Sequence, residues 1–150
     1  MTFQQAVQST PVIADAYRAG LQALKERDRS CISARNPRSL TGSIDLDTAL
    51  QNVFPGATRW DYGVGYSDRT EKVFWIEIHP ASSEHINGML NKLNWLQRWL
   101  NDNSPNLNGI PREFIWISSG KVSFQPGSPQ RKKIAATGLK FAGEHFTIPH

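Results

Sequence analysis

Three side chains whose types suit metal and acid–base chemistry lie in one stretch of this sequence: Asp61, Glu77 and His79. Two carboxylates held close together can bind Mg²⁺ or Mn²⁺, hard cations that prefer oxygen ligands and keep several waters. Such an ion polarises a phosphoryl oxygen and lowers the pKa of an attacking water, and an imidazole can orient that water or accept its proton. The three residues are therefore candidates for a metal-dependent hydrolytic site.

The local pattern predicts a β-hairpin that brings these residues together. Residues 59–66 and 73–79 both alternate as strands do, and the polar residues 67–72 between them are typical of a hairpin loop. If the hairpin closes symmetrically about residues 69 and 70, Asp61 lies opposite residues 78 and 79.

The second strand of this hairpin has two different faces, because side chains alternate along a strand. One face carries Trp75, Glu77 and His79, and the other carries Phe74, Ile76 and Ile78. An ordinary solvated face is one interpretation. The unbroken run from residue 73 to residue 78 instead favours a central strand that is covered on both sides. A carboxylate in such a strand needs a partner, a metal or a raised pKa.

Elements before and after the hairpin are predicted from apolar spacing and capping residues. Three helices are expected: residues 11–28, residues 48–54, and a helix from Ser82 or Ser83 to about Leu100. Residues 29–43 are polar and typical of a long loop. A second hairpin is predicted with strands at 113–118 and 121–124, and a short strand near 146–148. The order predicts a mixed α/β or α+β fold with one layer of sheet.

The spacing of the candidate residues resembles a known family. Asp61, followed sixteen residues later by Glu77-Ile78-His79 and then by a helix and a strand, resembles the core of the PD-(D/E)XK (restriction-endonuclease-like) nuclease superfamily. The resemblance covers roughly residues 11–118 and implies helix, three strands, helix and strand around one mixed sheet. It further implies that Asp61 and Glu77 bind Mg²⁺, that Ile78 lends its backbone carbonyl, and that phosphodiesters are hydrolysed.

The sequence departs from the superfamily pattern in two places. Thr58-Arg59-Trp60 replaces the proline expected near the first acid, and His79 stands where a lysine is expected. Lysine is a permanent cation at neutral pH, whereas histidine is only partly charged and can itself ligate metal. Either the site works through His79, or Lys92 on the following helix supplies the charge, or the site has decayed. Glu26 would match an acidic residue that some members carry in the first helix.

Positive charge falls in two groups along a chain of net charge +4. The first group lies between residues 25 and 38, and the second contains Arg131, Lys132, Lys133 and Lys140. This charge is compatible with nucleic-acid binding, and Arg131, Lys132 and Lys133 are candidate phosphate contacts. The alternative is a solvated surface with scattered charges, since blocks this short are common.

Length and composition indicate one domain over residues 1–150, with a basic, irregular segment over residues 125–150. The contents of 39% hydrophobic and 20% charged residues are ordinary for a globular domain that buries a core. The one cysteine, Cys31, cannot form an internal disulfide. No apolar run approaches the roughly 20 residues of a membrane helix, and no signal peptide is recognisable. A cytoplasmic protein without a membrane partner is therefore expected.

Several other residues invite a functional interpretation beside a structural one. Asp45 and Asp47 alternate with apolar residues: in one interpretation Asp47 caps a helix and Asp45 is solvated, and in the other Asp45 joins the acidic cluster or contacts one of the early arginines. His79 and His85 suggest zinc, but no third ligand lies at a useful spacing. The segment Gly63-Val64-Gly65 indicates a close approach of another group to the sheet rather than a dinucleotide loop.

Trp95 and Trp99 lie four residues apart on one flank of the predicted helix. Such a pair is either core packing, a base-stacking platform or an oligomer contact, and packing is favoured. An exposed part of this surface would allow homo-oligomerisation.

Three functions follow from these expectations. The first is metal-dependent hydrolysis of DNA or RNA phosphodiesters, with Asp61 and Glu77 as metal ligands and His79 or Lys92 assisting the water. The second is a catalytically inactive domain of the same fold that binds nucleic acid or protein. The third is an interaction protein, such as an antitoxin or immunity-type partner. Metal-dependent stabilisation would distinguish the first from the others.

Overall fold

The computed structural model describes residues 1–122, 124 and 127–149 of the chain. The strands are β1 (Arg18–Ala19), β2 (Ile32–Ala34), β3 (Leu40–Asp45), β4 (Tyr62–Ser67), β5 (Glu71–His79), β6 (Arg112–Ser118), β7 (Leu139–Phe141) and β8 (Phe146–Ile148). The α-helices are α1 (Phe3–Gln8), α2 (Glu26–Arg29), α3 (Leu46–Leu50), α4 (Ile86–Asn103), α5 (Pro105–Asn108) and α6 (Pro129–Ala136). Within the described residues, no helix is long and apolar enough to cross a membrane.

Six strands form one mixed sheet in the order β1-β3-β4-β5-β6-β7, and β2 and β8 form a separate parallel pair. Strand β4 is antiparallel to both of its neighbours, β3 and β5. Strand β6 is parallel to both of its neighbours, β5 and β7. Parallel neighbours need a crossover connection, which contains α4 between β5 and β6 and α6 between β6 and β7. The expected mixed α/β fold is therefore confirmed, with one six-stranded mixed sheet and, in addition to the expected single layer, a separate two-stranded pair.

Strand β5 is central in this sheet and separates two apolar clusters, as its sequence predicts. Val73 and Trp75 lie in the larger cluster, together with α1 and α4, and Phe74 and Ile76 lie in the other. Helix α4 contributes a stripe of apolar residues, spaced three and four apart, to the larger cluster: Ile86, Met89, Leu93, Leu96 and Leu100. Burial of both faces is what makes a carboxylate on β5 unusual.

The helix predicted over residues 11–28 is wrong. This segment contains a single 3-10 turn, the short strand β1 and the four-residue helix α2. Its apolar residues are buried by separate contacts: the Tyr17 hydroxyl donates to the carbonyl of Thr41, and the ring lies where a Cβ on Gly42 would be. The first helix is instead α1, which begins at a capping box formed by Thr2 and Gln5.

The polar segment 29–43 is not one loop, because it contains β2 and the start of β3. The short helix after it is α3, at Leu46–Leu50 instead of 48–54. The Asp45 side chain caps this helix by accepting from the N–H of Thr48, so the cap is not Asp47.

The C-terminal part is more regular than expected. The predicted strand 113–118 is confirmed as part of β6, but Lys121, Val122 and Phe124 are not in a strand, and Ser123 lies outside the described residues. The segment from residue 125 contains α6, β7 and the predicted strand β8. Gln125, Pro126 and His150 also lie outside the described residues. Pro129 at the first position of α6 and Gly138 with φ of 86° just beyond its end are helix-boundary signals.

Candidate functional site

Asp61 lies directly before β4, at the edge of the sheet where β5 and β6 end. Tyr62 pairs with Ile76, so the next position of this antiparallel ladder faces Glu77. The predicted register, with Asp61 opposite residues 78 and 79, is wrong by one residue or more. The difference arises because three residues, 68–70, separate the paired residues Ser67 and Glu71.

The backbone around Asp61 is fixed by hydrogen bonds on both sides. Its carbonyl accepts from the N–H groups of Leu46 and Asp47, at 2.9 and 3.3 Å, which ties it to the first turn of α3. Its own N–H donates to Oε1 of Glu77 at 3.0 Å. The carboxylate, in turn, accepts from the N–H of Ile78 at 3.0 Å through Oδ2. Each of the two acids therefore accepts a hydrogen bond from the backbone of the other strand.

Lys92 completes this group from helix α4. Its Nζ lies 2.5 Å from Oε2 of Glu77, and its side chain is 22% exposed. Lys92 lies one turn from Met89 and from Leu96 of the buried stripe, so packing of α4 on the sheet directs the lysine toward β5. The structure thus brings together Asp61, Glu77 and Lys92.

Burial shifts the titration of both acids. Glu77 is 1% exposed, and this desolvation together with the charge of Asp61 raises the pKa of Glu77 to about 8, although Lys92 opposes the rise. Desolvation also raises the pKa of Asp61 to about 6, against the lowering effects of the Ile78 N–H and Lys92. Carboxyl pKa values raised by desolvation make Asp61 and Glu77 candidates for a functional site.

His79 does not join this group by any hydrogen bond or ion pair within the described residues. Its Nδ1 lies 3.2 Å from the carbonyl oxygen of Pro80, and its ring packs against His85 with a centroid distance of 5.0 Å. Desolvation lowers the pKa of His79, and the charge of Lys92 adds to this effect. An imidazole that is mostly neutral at pH 7 cannot replace the permanent cation of the superfamily motif.

A pocket of about 540 Å³ opens onto Asp61. Its lining residues are Lys25, Arg27, Asp28, Cys31, Asp45, Asp47, Asp61, Tyr62, Ile78 and Ser119. Asp45 and Asp47 are thus near Asp61, as one interpretation of the sequence proposed, but both have structural partners. Asp45 caps α3, and Asp47 accepts from Nε of Arg59 at 2.9 Å.

The donor set suits a hard cation better than a transition metal. Among the described residues, no group of three or more His, Cys, Asp or Glu side chains is arranged to hold a metal ion, so the zinc alternative at His79 and His85 has no support. Mg²⁺ needs fewer protein ligands, because it is usually bound by one or two carboxylates and keeps several waters. Within the part of the chain that the structure describes, Oδ1 of Asp61 accepts no hydrogen bond.

The remaining candidates lie elsewhere or are structural. Trp99 is 3% exposed and belongs to the core, which confirms the packing interpretation for this residue and removes it from any oligomer contact. Trp95 stacks on it and is partly exposed. Glu26 is exposed on α2 and does not line the pocket. The two strand glycines do allow close approach: a Cβ on Gly63 would lie 2.7 Å from the Trp75 ring.

Arg131, Lys132 and Lys133 lie on α6 and Lys140 lies on β7, and none of them lines this pocket. The Arg131 guanidinium lies 4.7 Å from the centre of the Phe141 ring, and Lys133 donates to Asn87 in the first turn of α4. Lys132 is exposed. The contact of Lys133 with Asn87 therefore places these cations beside the start of α4, at the same end of the sheet as the two acids but outside their hydrogen-bonded group.

Sequence reasoning missed the opposite wall of the pocket, which includes Tyr62, Asp28, Lys25 and Arg27. The first group of cations in the sequence, between residues 25 and 38, partly indicated this wall, since Lys25 and Arg27 belong to it. Nothing in the sequence indicated that α2 lies over Asp61.

Comparison of this chain with family models, with curated proteins and with solved structures finds no match in any of the three.

Proposed function

We propose that this protein hydrolyses phosphodiester bonds of nucleic acid with the help of Mg²⁺ or Mn²⁺, through a divergent PD-(D/E)XK-like site. The observation that carries this proposal is the contact of Lys92 with Glu77, at 2.5 Å, directly beside Asp61. Two acids and one lysine are the functional set of the superfamily, and here the lysine comes from the following helix.

The order of elements supports the proposal. Helix α1 precedes the antiparallel strands β3, β4 and β5, and α4 then leads to β6, which is parallel to β5. This order agrees with the helix, three strands, helix and strand that the resemblance implies, if β1, α2, β2 and α3 are insertions.

The residues present fit a divalent cation. The carboxylates of Asp61 and Glu77 and the carbonyl of Ile78 would hold it, with water in the remaining positions. Because the N–H and C=O of one strand residue point to the same side, the Ile78 carbonyl faces Asp61 as its N–H does. When bound, the ion would polarise a phosphoryl oxygen and acidify the attacking water.

The chain's own groups supply positioning and charge. Lys92 would stabilise the negative charge that develops on the phosphoryl oxygens, since it is a permanent cation beside the acids. The Glu77 carboxylate orients the Lys92 side chain through their hydrogen bond. The packing of α4 on the sheet fixes the position of this pair. Arg131, Lys132 and Lys133 would contact phosphates farther along the strand without reading its sequence.

Cleavage assays with matched variants test the proposal. Labelled DNA and RNA, single- and double-stranded, are incubated with Mg²⁺ or Mn²⁺ and compared for the wild type, Glu77→Gln and Lys92→Met. We expect metal-dependent cleavage by the wild type and a loss of 100-fold or more, of the order that one electrostatic group contributes, in both variants. Arg98→Ala is the control, since Arg98 is exposed on α4. Failure of the folded wild type to cut any of the substrates would overturn the proposal.

A binding module with the same fold is the second candidate. It is favoured by the fact that both oxygens of Glu77 already accept hydrogen bonds from the chain itself. In that case nucleic acid, or an acidic protein such as a toxin, would bind without metal-dependent stabilisation. A steep dependence of binding on salt would identify nucleic acid as the partner. The cytoplasmic location, and homo-oligomerisation through the exposed part of Trp95, stay predictions.

A further inference from the structure

One wall of the pocket is formed by residues 25–31, here named the α2 wall. Lys25, Arg27, Asp28 and Cys31 line the pocket from this wall, together with Asp61, Ile78 and Ser119. Asp61 and the two cations of the α2 wall thus line one space of about 540 Å³.

The α2 wall is attached to the residue that follows Asp61. The Tyr62 hydroxyl donates to Oδ2 of Asp28 at 2.6 Å and accepts from the N–H of Lys25 at 3.4 Å. Tyr62 is 2% exposed, so this hydroxyl is a buried polar group that the wall satisfies. The position of the wall is therefore coupled to β4 and, through it, to Asp61.

The cations of this wall are available to a ligand, whereas most of the aspartates are engaged. Arg27 has a side chain that is 78% exposed, and its ion pair with Asp28 is 3.6 Å long, beyond hydrogen-bond distance. Lys25 is also exposed. In contrast, Asp28 accepts from Tyr62, Asp45 caps α3 and Asp47 is paired with Arg59. Lys25 and Arg27 are therefore the cations among the lining residues that an anion in the pocket could contact.

We propose that this pocket takes one nucleotide unit of an unpaired nucleic-acid strand, and that Lys25 and Arg27 bind its phosphates. This inference rests on the proposed function and narrows its substrate. The volume lies within the range of about 300–1,000 Å³ that encloses a single small ligand. A space of this size encloses one unit at a time, so a nucleotide of a duplex would first have to be unpaired and unstacked to enter it. Enzymes that act on a nucleotide inside a pocket use single strands or first unstack the nucleotide.

Tyr62 is a positioning residue in this proposal. Its hydroxyl holds the α2 wall at the pocket, so Tyr62→Phe would weaken strand binding by releasing the wall while keeping the buried ring. The effect should vanish in the Lys25→Ala/Arg27→Ala background, since the hydroxyl acts through these cations. An additive effect in that background would exclude the positioning role.

Binding measurements separate this inference from the proposed function. Fluorescence anisotropy in Ca²⁺ compares a labelled single-stranded oligonucleotide, as DNA and as RNA, with a fully paired dumbbell duplex that has no free end. We expect the dumbbell to bind at least tenfold more weakly than the better single strand. Lys25→Ala/Arg27→Ala should weaken single-strand binding and reduce the salt slope, d log K/d log[salt], by about 1.4, the value for two phosphate contacts.

The control is Arg98→Ala, which removes one exposed cation from α4 and should leave the affinity and slope near those of the wild type. Equal affinity for dumbbell and single strand, or an unchanged salt slope in the double variant, would overturn the inference. Selective single-strand binding without cleavage in Mg²⁺ or Mn²⁺ would support the pocket assignment and contradict the proposed hydrolysis. Cleavage of the dumbbell at the rate of the single strand would support the proposed hydrolysis and contradict the pocket assignment.

Discussion

Nζ of Lys92 lies 2.5 Å from Oε2 of Glu77, so an ion pair joins helix α4 to the central strand β5. The carboxylate is 1% exposed and the lysine side chain 22%, which leaves Glu77 dependent on this partner for its charge. Removing charges from water costs free energy, and a good contact only partly offsets that cost. The pair is thus weak evidence for a net gain in stability.

Removal of the two partners should have different effects on the free energy of unfolding. Lys92→Met leaves a buried carboxylate without its cation, and we expect a loss of about 1–3 kcal/mol at pH 8. Glu77→Gln removes the buried charge but keeps only one of the two acceptor oxygens, and we expect a smaller loss. Urea unfolding of both variants checks this, and a Glu77→Gln protein less stable than Lys92→Met would contradict it.

The pH dependence of stability follows from the raised pKa values of the two acids. In the pH range between the unfolded and folded pKa values, the folded state binds more protons, so stability is greatest at low pH and falls as pH rises. For Asp61 this range ends near pH 6, and for Glu77 near pH 8. Asp61→Asn should therefore flatten the lower part of the curve. Urea unfolding from pH 4 to pH 8 measures it, and an equal slope between pH 4 and pH 6 in wild type and variant would disagree.

Metal binding should have the opposite pH dependence. A divalent cation competes with protons for the carboxylates, so its affinity should rise as Asp61 loses its proton near pH 6. Isothermal titration with Mg²⁺ in buffers of different ionisation enthalpy would detect the released protons. Binding that is equally tight at pH 5 and pH 7 would exclude Asp61 as a ligand.

The part of the fold that the sequence predicted is the part governed by local periodicity. The alternation in β5 and the apolar stripe of α4 both depend on burial of one face, so residue spacing was sufficient to identify them. The segment 11–28 has similar spacing, but its residues pack separately, with Pro11–Ile13 on α1 and α3 and the Tyr17 ring on Gly42 of β3. In that segment tertiary contacts, not a helical face, determine which residues are apolar.

The candidate site was predictable in its members more than in its geometry. Asp61 and Glu77 were identified because they lie on the two arms of one predicted hairpin, with Glu77 inside a strongly apolar strand. The register could not be found from sequence, since a change of one residue in the hairpin loop reverses which side chains face each other. The role of Tyr62 and the α2 wall depends on contacts 34 residues apart, which have no local signal.

The approach of Trp75 to Gly63 predicts a sharp steric effect. A Cβ on Gly63 would lie 2.7 Å from Cζ3 of this fully buried ring, and Gly63→Ala should cost about 1–3 kcal/mol of stability through overpacking. Gly56→Ala is the matched control, because no atom lies within 4 Å of its added Cβ. We expect a change of about 0.5 kcal/mol or less there. Thermal unfolding of both variants tests this, and equal melting temperatures would show that the backbone at Gly63 or the Trp75 ring shifts to accommodate the added methyl group.

The orientation of His79 predicts that the lysine, not the histidine, assists hydrolysis. The His79 ring packs on His85 and no hydrogen bond joins it to either acid within the described residues, whereas Lys92 contacts Glu77 directly. Under the proposed function, His79→Gln should retain kcat within about tenfold, and Lys92→Met should lose 100-fold or more. The two variants are compared at saturating Mg²⁺ on one labelled single strand, with circular dichroism as the check on folding. If a folded His79→Gln protein were as inactive as Lys92→Met, the water-assisting role would be assigned to the histidine. Loss of its packing on His85 would not by itself explain such inactivity, because that packing does not alter the charge beside Glu77.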